Sequence, residues 1–222
     1  MPERFAIYYA PAADDPLWAK AAEWLGRDPL TGATIDGPLH ATARNALFER
    51  SISARRYGFH ATIKAPYVSA TEPVAIGPIK LALIDGFLAL IPATQSEALT
   101  AFAGDVVETF DPFRAPPSDE ERARRLQNGN LSPRQLELLE GYGYPYVFEQ
   151  FQLHMTLTDR LPEGERAAYM QAAAEHFGPL AEADMAVDRL VLFHEPEAGA
   201  PFARLDDFML TGETADARIR AR

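Results

Sequence analysis

Two stretches decide how this chain reads: FHATIKAPY at residues 59–67 and FQLHMTLTD at residues 151–159. Each contains His-x-Thr, as His60-Ala61-Thr62 and His154-Met155-Thr156. In an extended strand, residues i, i+2 and i+4 share one face. His60, Thr62 and Lys64 then point one way, with Ala61, Ile63 and Ala65 behind them. The second stretch repeats this, with His154, Thr156 and Thr158 over Met155 and Leu157. A strand that buries its apolar face and presents imidazole and hydroxyl on the other is suited to touch a polar ligand. Two such strands point to a pair of histidines facing each other across one cleft. A third match, His40-Ala41-Thr42, lies in DGPLHATARNALF, has no strand alternation and reads as chance.

Outward from the motifs, RFAIYYAP alternates as an opening strand, with Phe5, Ile7 and Tyr9 on one face and Tyr8 on the other. Asp14 or Asp15 caps a helix with Pro16 in its first turn and a stripe of Trp18, Ala21, Ala22 and Leu25, ending near Gly26. A short helix falls around 41–50, and the first motif strand covers 58–68. IKLALIDGFLALIP reads as a hairpin turning at Asp85-Gly86. Ser96 opens a helix with Leu99, Phe102, Val106 and Phe110 at helical spacing. SDEERARRLQNG predicts a charged, solvated helix. Ser132-Pro133 with Gln135 is a capping-box start for a helix ending at Gly141. The second motif strand spans about 150–159, and a helix follows at 163–177. His176 falls in its last turn, a structural position where the helix dipole favours a cation. DRLVLFHEP and FARLDDFML close the chain as strands, with His194 a strand-end residue.

The motifs stand close to half the chain length apart, and each half offers a helix-backed sheet with one motif strand. The expected fold is therefore α+β: one globular unit over 1–222 of two similar lobes around a central cleft.

The motif contexts also carry a family resemblance. His60-Ala61-Thr62-Ile63 and His154-Met155-Thr156-Leu157 resemble the paired His-hydrophobic-Thr-hydrophobic signature of the 2H phosphoesterases. The longer strings YGFHATIKAPY and YPYVFEQFQLHMTLTDRL, with RFAIYYAP and LVLFHEPEAGAPFARLDDFML, resemble one branch of it, the DUF1045-like proteins encoded with phosphonate-degradation genes. The resemblance implies a bilobal fold of two mainly antiparallel sheets with pseudo-two-fold symmetry. It also implies a metal-independent cyclic phosphodiesterase without cofactor, acting in phosphonate catabolism, with His60, Thr62, His154 and Thr156 as its site.

The chemistry agrees with those residue types. Displacement at phosphorus needs an activated nucleophile, a protonated leaving oxygen and neutralised non-bridging oxygens. Two imidazoles serve as base and acid because their unperturbed pKa lies near neutrality. Two threonine hydroxyls can donate to the phosphoryl oxygens. Either histidine can be the base. Lys64, on the face of His60, would stabilise charge developing at phosphorus. Tyr8, Arg56, Tyr57, Tyr144 and Tyr146 are candidates to stack on or hydrogen-bond a sugar or base, and Arg204 is a candidate phosphate contact. Asp206-Asp207 is a poor carboxylate dyad, since adjacent strand residues face opposite ways.

Composition narrows the partners. Hydrophobic residues make up 47% and charged residues 24% of the 222, as in an ordinary globular protein. The absence of cysteine removes disulfides, thiolate chemistry and sulfur metal ligands. No membrane-length apolar run or secretion signal is present, so a cytoplasmic location is expected. A net charge of −11 disfavours long nucleic acid but allows a small phosphorylated substrate. No phosphate-loop, GxSxG or GxGxxG motif is present. Two alternatives stand beside the diesterase: processing of RNA 2′,3′-cyclic or 2′–5′ ends, and nucleotide or phosphate binding without turnover. Oligomeric state is not legible.

Overall fold

A computed structural model describes residues 4–35, 44–62, 72–115, 123, 131–197 and 199–211. The strands are β1 (Arg4–Tyr9), β2 (Ala61–Thr62), β3 (Val74–Ile84), β4 (Phe87–Pro92), β5 (Met155–Thr156), β6 (Asp184–Val187), β7 (Arg189–Glu195) and β8 (Ala203–Met209). The helices are α1 (Pro16–Leu25), α2 (Arg44–Glu49), α3 (Ile52–Tyr57), α4 (Glu97–Phe110), α5 (Pro133–Tyr142) and α6 (Arg166–Phe177). The fold is α+β with an antiparallel sheet. None of the described helices is long and apolar enough to cross a membrane.

Local chemistry sets most element ends. Asp15 accepts from the Leu17 amide at 2.7 Å to start α1, Pro16 takes the first turn, and Gly26 ends it in the left-handed region. Ser96 caps α4, and Ser132 with Gln135 forms the capping box of α5. That helix runs past Gly141 to Tyr142 and is capped by left-handed Gly143. Asp85 and Gly86 both have positive φ (47° and 89°), the two-residue turn whose twist matches a right-handed hairpin. α3 and β6 were not anticipated: each is too short for its periodicity to stand out. The expected charged helix falls outside the described residues apart from Ala123. So does the continuation of the first motif strand past Thr62.

The sheet is one continuous eight-stranded order, β6-β3-β4-β5-β2-β1-β7-β8. This corrects the expectation of two sheets. Single-strand patterning shows which residues share a face, not which strands hydrogen-bond, and here the motif strands β2 and β5 bond to each other at the centre. The order divides at that junction into four strands on each side. Both β1-α1…β2 and β4-α4…β5 run strand, helix, motif strand, and in each the two strands are antiparallel neighbours.

One main core lies between the sheet and the helices. Trp24 and Leu25 of α1, Leu99 and Phe102 of α4, and Tyr169 and Phe177 of α6 pack with Ile7, Tyr9, Leu88, Leu90, Ala61 and Met155 of the sheet. Ala61 and Met155 are fully buried and pair directly across β2 and β5. Burying one large apolar side chain such as Met155 is worth about 1.5–3 kcal/mol. The core side of the motif strands thereby fixes which way their polar side points. Trp24 adds a tie, its indole Nε1 donating to the Leu157 carbonyl at 3.0 Å. His176 is buried at the end of α6, with Nε2 2.6 Å from the Lys20 carbonyl, the structural role expected of it.

Candidate active site

Ala61 stands opposite Met155 in an antiparallel register. Continuing that register one residue each way sets His60 opposite Thr156 and Thr62 opposite His154. All four lie on the face away from Ala61 and Met155, with the histidines on one diagonal and the threonines on the other. Diagonal neighbours across two strands have Cα atoms roughly 7–8 Å apart, enough for a phosphate between the ring tips.

Both imidazoles are held by the same local device. His60 Nδ1 lies 2.7 Å from the Gly58 carbonyl, and His154 Nδ1 lies 2.8 Å from the Gln152 carbonyl. A carbonyl only accepts, so each Nδ1 carries the proton and each Nε2 of the neutral ring is the basic nitrogen. The Thr62 hydroxyl sits 3.3 Å from His60 Nε2 and donates to it.

The supports behind the two carbonyls differ. Gly58 has φ 79°, and a Cβ there would strike the Pro29 ring, so only glycine lets this carbonyl aim at His60. On the other side, Gln95 clamps the approach to His154: its Oε1 accepts from the Leu153 amide and its Nε2 donates to the Phe151 carbonyl, both at 2.8 Å. Sequence reading missed Gln95. Its only signal was a position just before the α4 cap, far from either motif.

The surroundings differ too. The Tyr8 ring stacks on His60 at 3.7 Å between centroids, 27° from parallel, with Phe193 and Tyr57 each at 6.2 Å. Among the described residues His154 meets one ring, Phe87 at 5.6 Å. Desolvation pushes the His60 pKa down to about 4; the bond to Gly58 opposes this and repulsion from His154 adds to it.

Other predicted contacts fall variously. Tyr8 is buried, 6% exposed, and stands opposite Thr62, so it backs His60. Tyr57 stacks on Phe202 at 5.1 Å beside the same group. Arg56 is committed elsewhere: it forms an ion pair with fully buried Glu195, and its Nε donates to the Ala200 carbonyl at 3.3 Å. The Phe202 amide donates back to the Arg56 carbonyl at 2.9 Å, so the 196–202 connection is strapped to α3. Arg204 is 4% exposed and bonds Asp207 and the Pro11 carbonyl while lying over Trp18. The sequence marked it as a polar residue on a closing strand; it is held by Asp207 three residues along the same strand and by the distant Pro11 carbonyl. Tyr144 packs in a separate small cluster with Val107, Leu138 and Val147, and Tyr146, 45% exposed, edges against Tyr144. Lys64 lies outside the described residues.

This arrangement brings two imidazoles and two hydroxyls together on one sheet face. The chain belongs to the family described as protein of unknown function (DUF1045), whose model matches residues 54–203, from α3 to the start of β8 and including both motifs. It is 32% identical over 240 residues to a protein of Janthinobacterium sp. (strain Marseille) named ribose 1,5-bisphosphate phosphokinase PhnN. That match covers 97% of this chain and 52% of the relative. A protein of the same name from Laribacter hongkongensis (strain HLHK9) is 33% identical over 232 residues, 96% of this chain and 53% of its own length. The chain thus spans about half the length of these curated relatives.

Proposed function

We propose that this chain is a metal-independent cyclic phosphodiesterase of the 2H type, two similar halves joined at their motif strands, acting on a small phosphorylated sugar in phosphonate catabolism. The observation that carries it is the β2–β5 register, which turns two separate His-x-Thr segments into one four-cornered site. The relatives' name is a reason to favour ribose. A phosphate bridging two ribose hydroxyls, one of them at carbon 1, opens to a ribose 1-phosphate; with a second phosphate at carbon 5 the product is ribose 1,5-bisphosphate. This chain carries no Gly-x4-Gly-Lys-Ser/Thr loop, so the kinase chemistry in that name is not part of the proposal.

In the proposed reaction His60 is the base. Its Nε2 is neutral at physiological pH and takes a proton from water as the water oxygen bonds to phosphorus. The ring P–O bond breaks, and His154 Nε2–H protonates the departing oxygen. Thr62 leaves His60 Nε2 to donate, with Thr156, to the non-bridging oxygens. The pair finishes with its protons exchanged, and solvent restores it.

Turnover of ribose 1,2-cyclic phosphates, nucleoside 2′,3′-cyclic phosphates and a short 2′–5′ oligonucleotide, followed by phosphorus NMR with chelator present, tests this. A ribose cyclic phosphate opened by wild type and by neither His60→Ala nor His154→Ala supports the reading. Preference for the oligonucleotide would move it to RNA ends. Stoichiometric binding without product would replace the diesterase with a binding protein.

A further inference from the structure

The register that assembles the histidine pair reaches further along the same row. Ala89 stands opposite Thr156, so Ile91 falls opposite His154, and Ile91 stands opposite Lys80. Lys80, Ile91, His154, Thr62 and Tyr8 therefore form one line across five strands on one face of the sheet. Lys80 is exposed, and its Nζ makes one recorded bond among the described residues, to the Ala93 carbonyl at a long 3.3 Å. No carboxylate among the described residues pairs with it. That is informative in a chain with 32 acidic against 21 basic side chains and only three lysines, of which Lys20 is paired with Glu23. The Lys80 Cα lies two strand spacings, about 10 Å, from that of His154. The intervening Ile91 offers an apolar floor along which a lysine stem can lie.

We propose that Lys80 forms a second anion subsite, so that the substrate is a cyclic phosphate bearing an additional phosphate monoester beyond the reacting one. The ammonium, swung from Ala93 over β4, meets an anion about 7 Å from a phosphorus held between β5 and β2. A sugar ring bridges the two phosphates, and the aromatic group of Tyr8, Tyr57 and Phe193 closes the opposite, His60 end of the row. Among the described residues the cleft is thereby directional: the β3 end offers the ammonium and the opposite end is aromatic. This rests on the two-histidine site as the place where the first phosphate sits.

Calorimetric binding of ribose 1,5-bisphosphate and ribose 1-phosphate to wild type, Lys80→Ala, Lys80→Arg and His154→Ala tests the subsite without requiring turnover. The bisphosphate is expected to bind wild type about tenfold more tightly than the monophosphate. Lys80→Ala should erase that preference and leave the monophosphate unchanged, and Lys80→Arg should retain it. His154→Ala should weaken both ligands alike. A wild type without preference, or a Lys80→Ala that keeps it or weakens both ligands equally, overturns the subsite. A Lys80-dependent preference in a protein that opens no cyclic phosphate upholds the subsite and rejects the diesterase instead.

Discussion

The two motif halves are alike in every feature their sequence shares and unlike in what packs around them. Each histidine donates Nδ1–H to the carbonyl two residues back, and each projects from the strand side opposite a buried Ala61 or Met155. Yet His60 lies under Tyr8 and near Phe193 and Tyr57, whereas His154 faces Phe87 and a half-open row leading to Lys80. Equal motifs therefore give unequal surroundings, and desolvation holds the proton affinity of His60 low. The lesson is that a duplicated motif acquires its electrostatic setting from neighbours on other strands, not from its own residues. A symmetric pair would have no preferred base; in the proposed reaction the unequal surroundings are what would favour His60.

The most severe way to break the comparison is to remove either ring. His60→Ala or His154→Ala should each lower kcat on a ribose cyclic phosphate by about 10²–10⁴, with the double variant little worse than either single one, because the two act as a unit. Additive losses in steady-state assays would mean the rings act separately. Removing either hydroxyl, by Thr62→Val or Thr156→Val, is expected to cost about 10²-fold in kcat with the fold intact by circular dichroism. Unequal losses would sharpen the comparison by showing which side carries more of the developing charge.

The supports come next. Arg56→Ala removes the guanidinium paired with the fully buried Glu195 carboxylate, and chemical denaturation should show a loss of about 2–4 kcal/mol. KM should move little if Arg56 is the structural strap seen here. Gln95→Leu should lower kcat by about tenfold while leaving the His60 side unchanged, since it releases only the segment that aims Gln152. The smallest effect is on titration. Tyr8→Leu opens His60 to water and should raise its pKa towards the ordinary 6.5, read by proton NMR of the ring.

That depressed pKa has a stability consequence whose sign is fixed. Between the ordinary histidine value of 6.5 and about 4, the unfolded chain binds a proton that the folded His60 refuses. Its contribution is intact above pH 6.5 and is lost as pH falls through that window. His60→Gln should flatten this part of the stability curve measured by denaturation, and an unchanged slope would show that His60 titrates normally.

Much of the molecule was legible from short-range rules. The Asp15, Ser96 and Ser132 caps, the Asp85-Gly86 turn and the closing strands all follow from side chains acting within a few residues. The shared face of His60, Thr62, His154 and Thr156 followed from alternation, since burying Ala61 and Met155 leaves their neighbours one way to face. What escaped the sequence depends on partners far along the chain. The direct β2–β5 bond joins segments from the two halves, and Glu195 takes up the Arg56 guanidinium. The Pro11 carbonyl takes Arg204 Nη1, and Gln95 reaches across to the 151–153 backbone. Lys80 was passed over for the same reason: only the strand order brings it into line with His154.

The pH dependence of kcat/KM on a ribose 1,2-cyclic phosphate, for wild type and His60→Ala, tests the central claim most directly. The account predicts a bell for wild type, its acid limb near the His60 value of about 4 and well below an ordinary histidine. The residual activity of His60→Ala should lack that limb. A flat wild-type profile, or an acid limb that survives loss of His60, would contradict the assignment of the two histidines as an ordered acid–base pair.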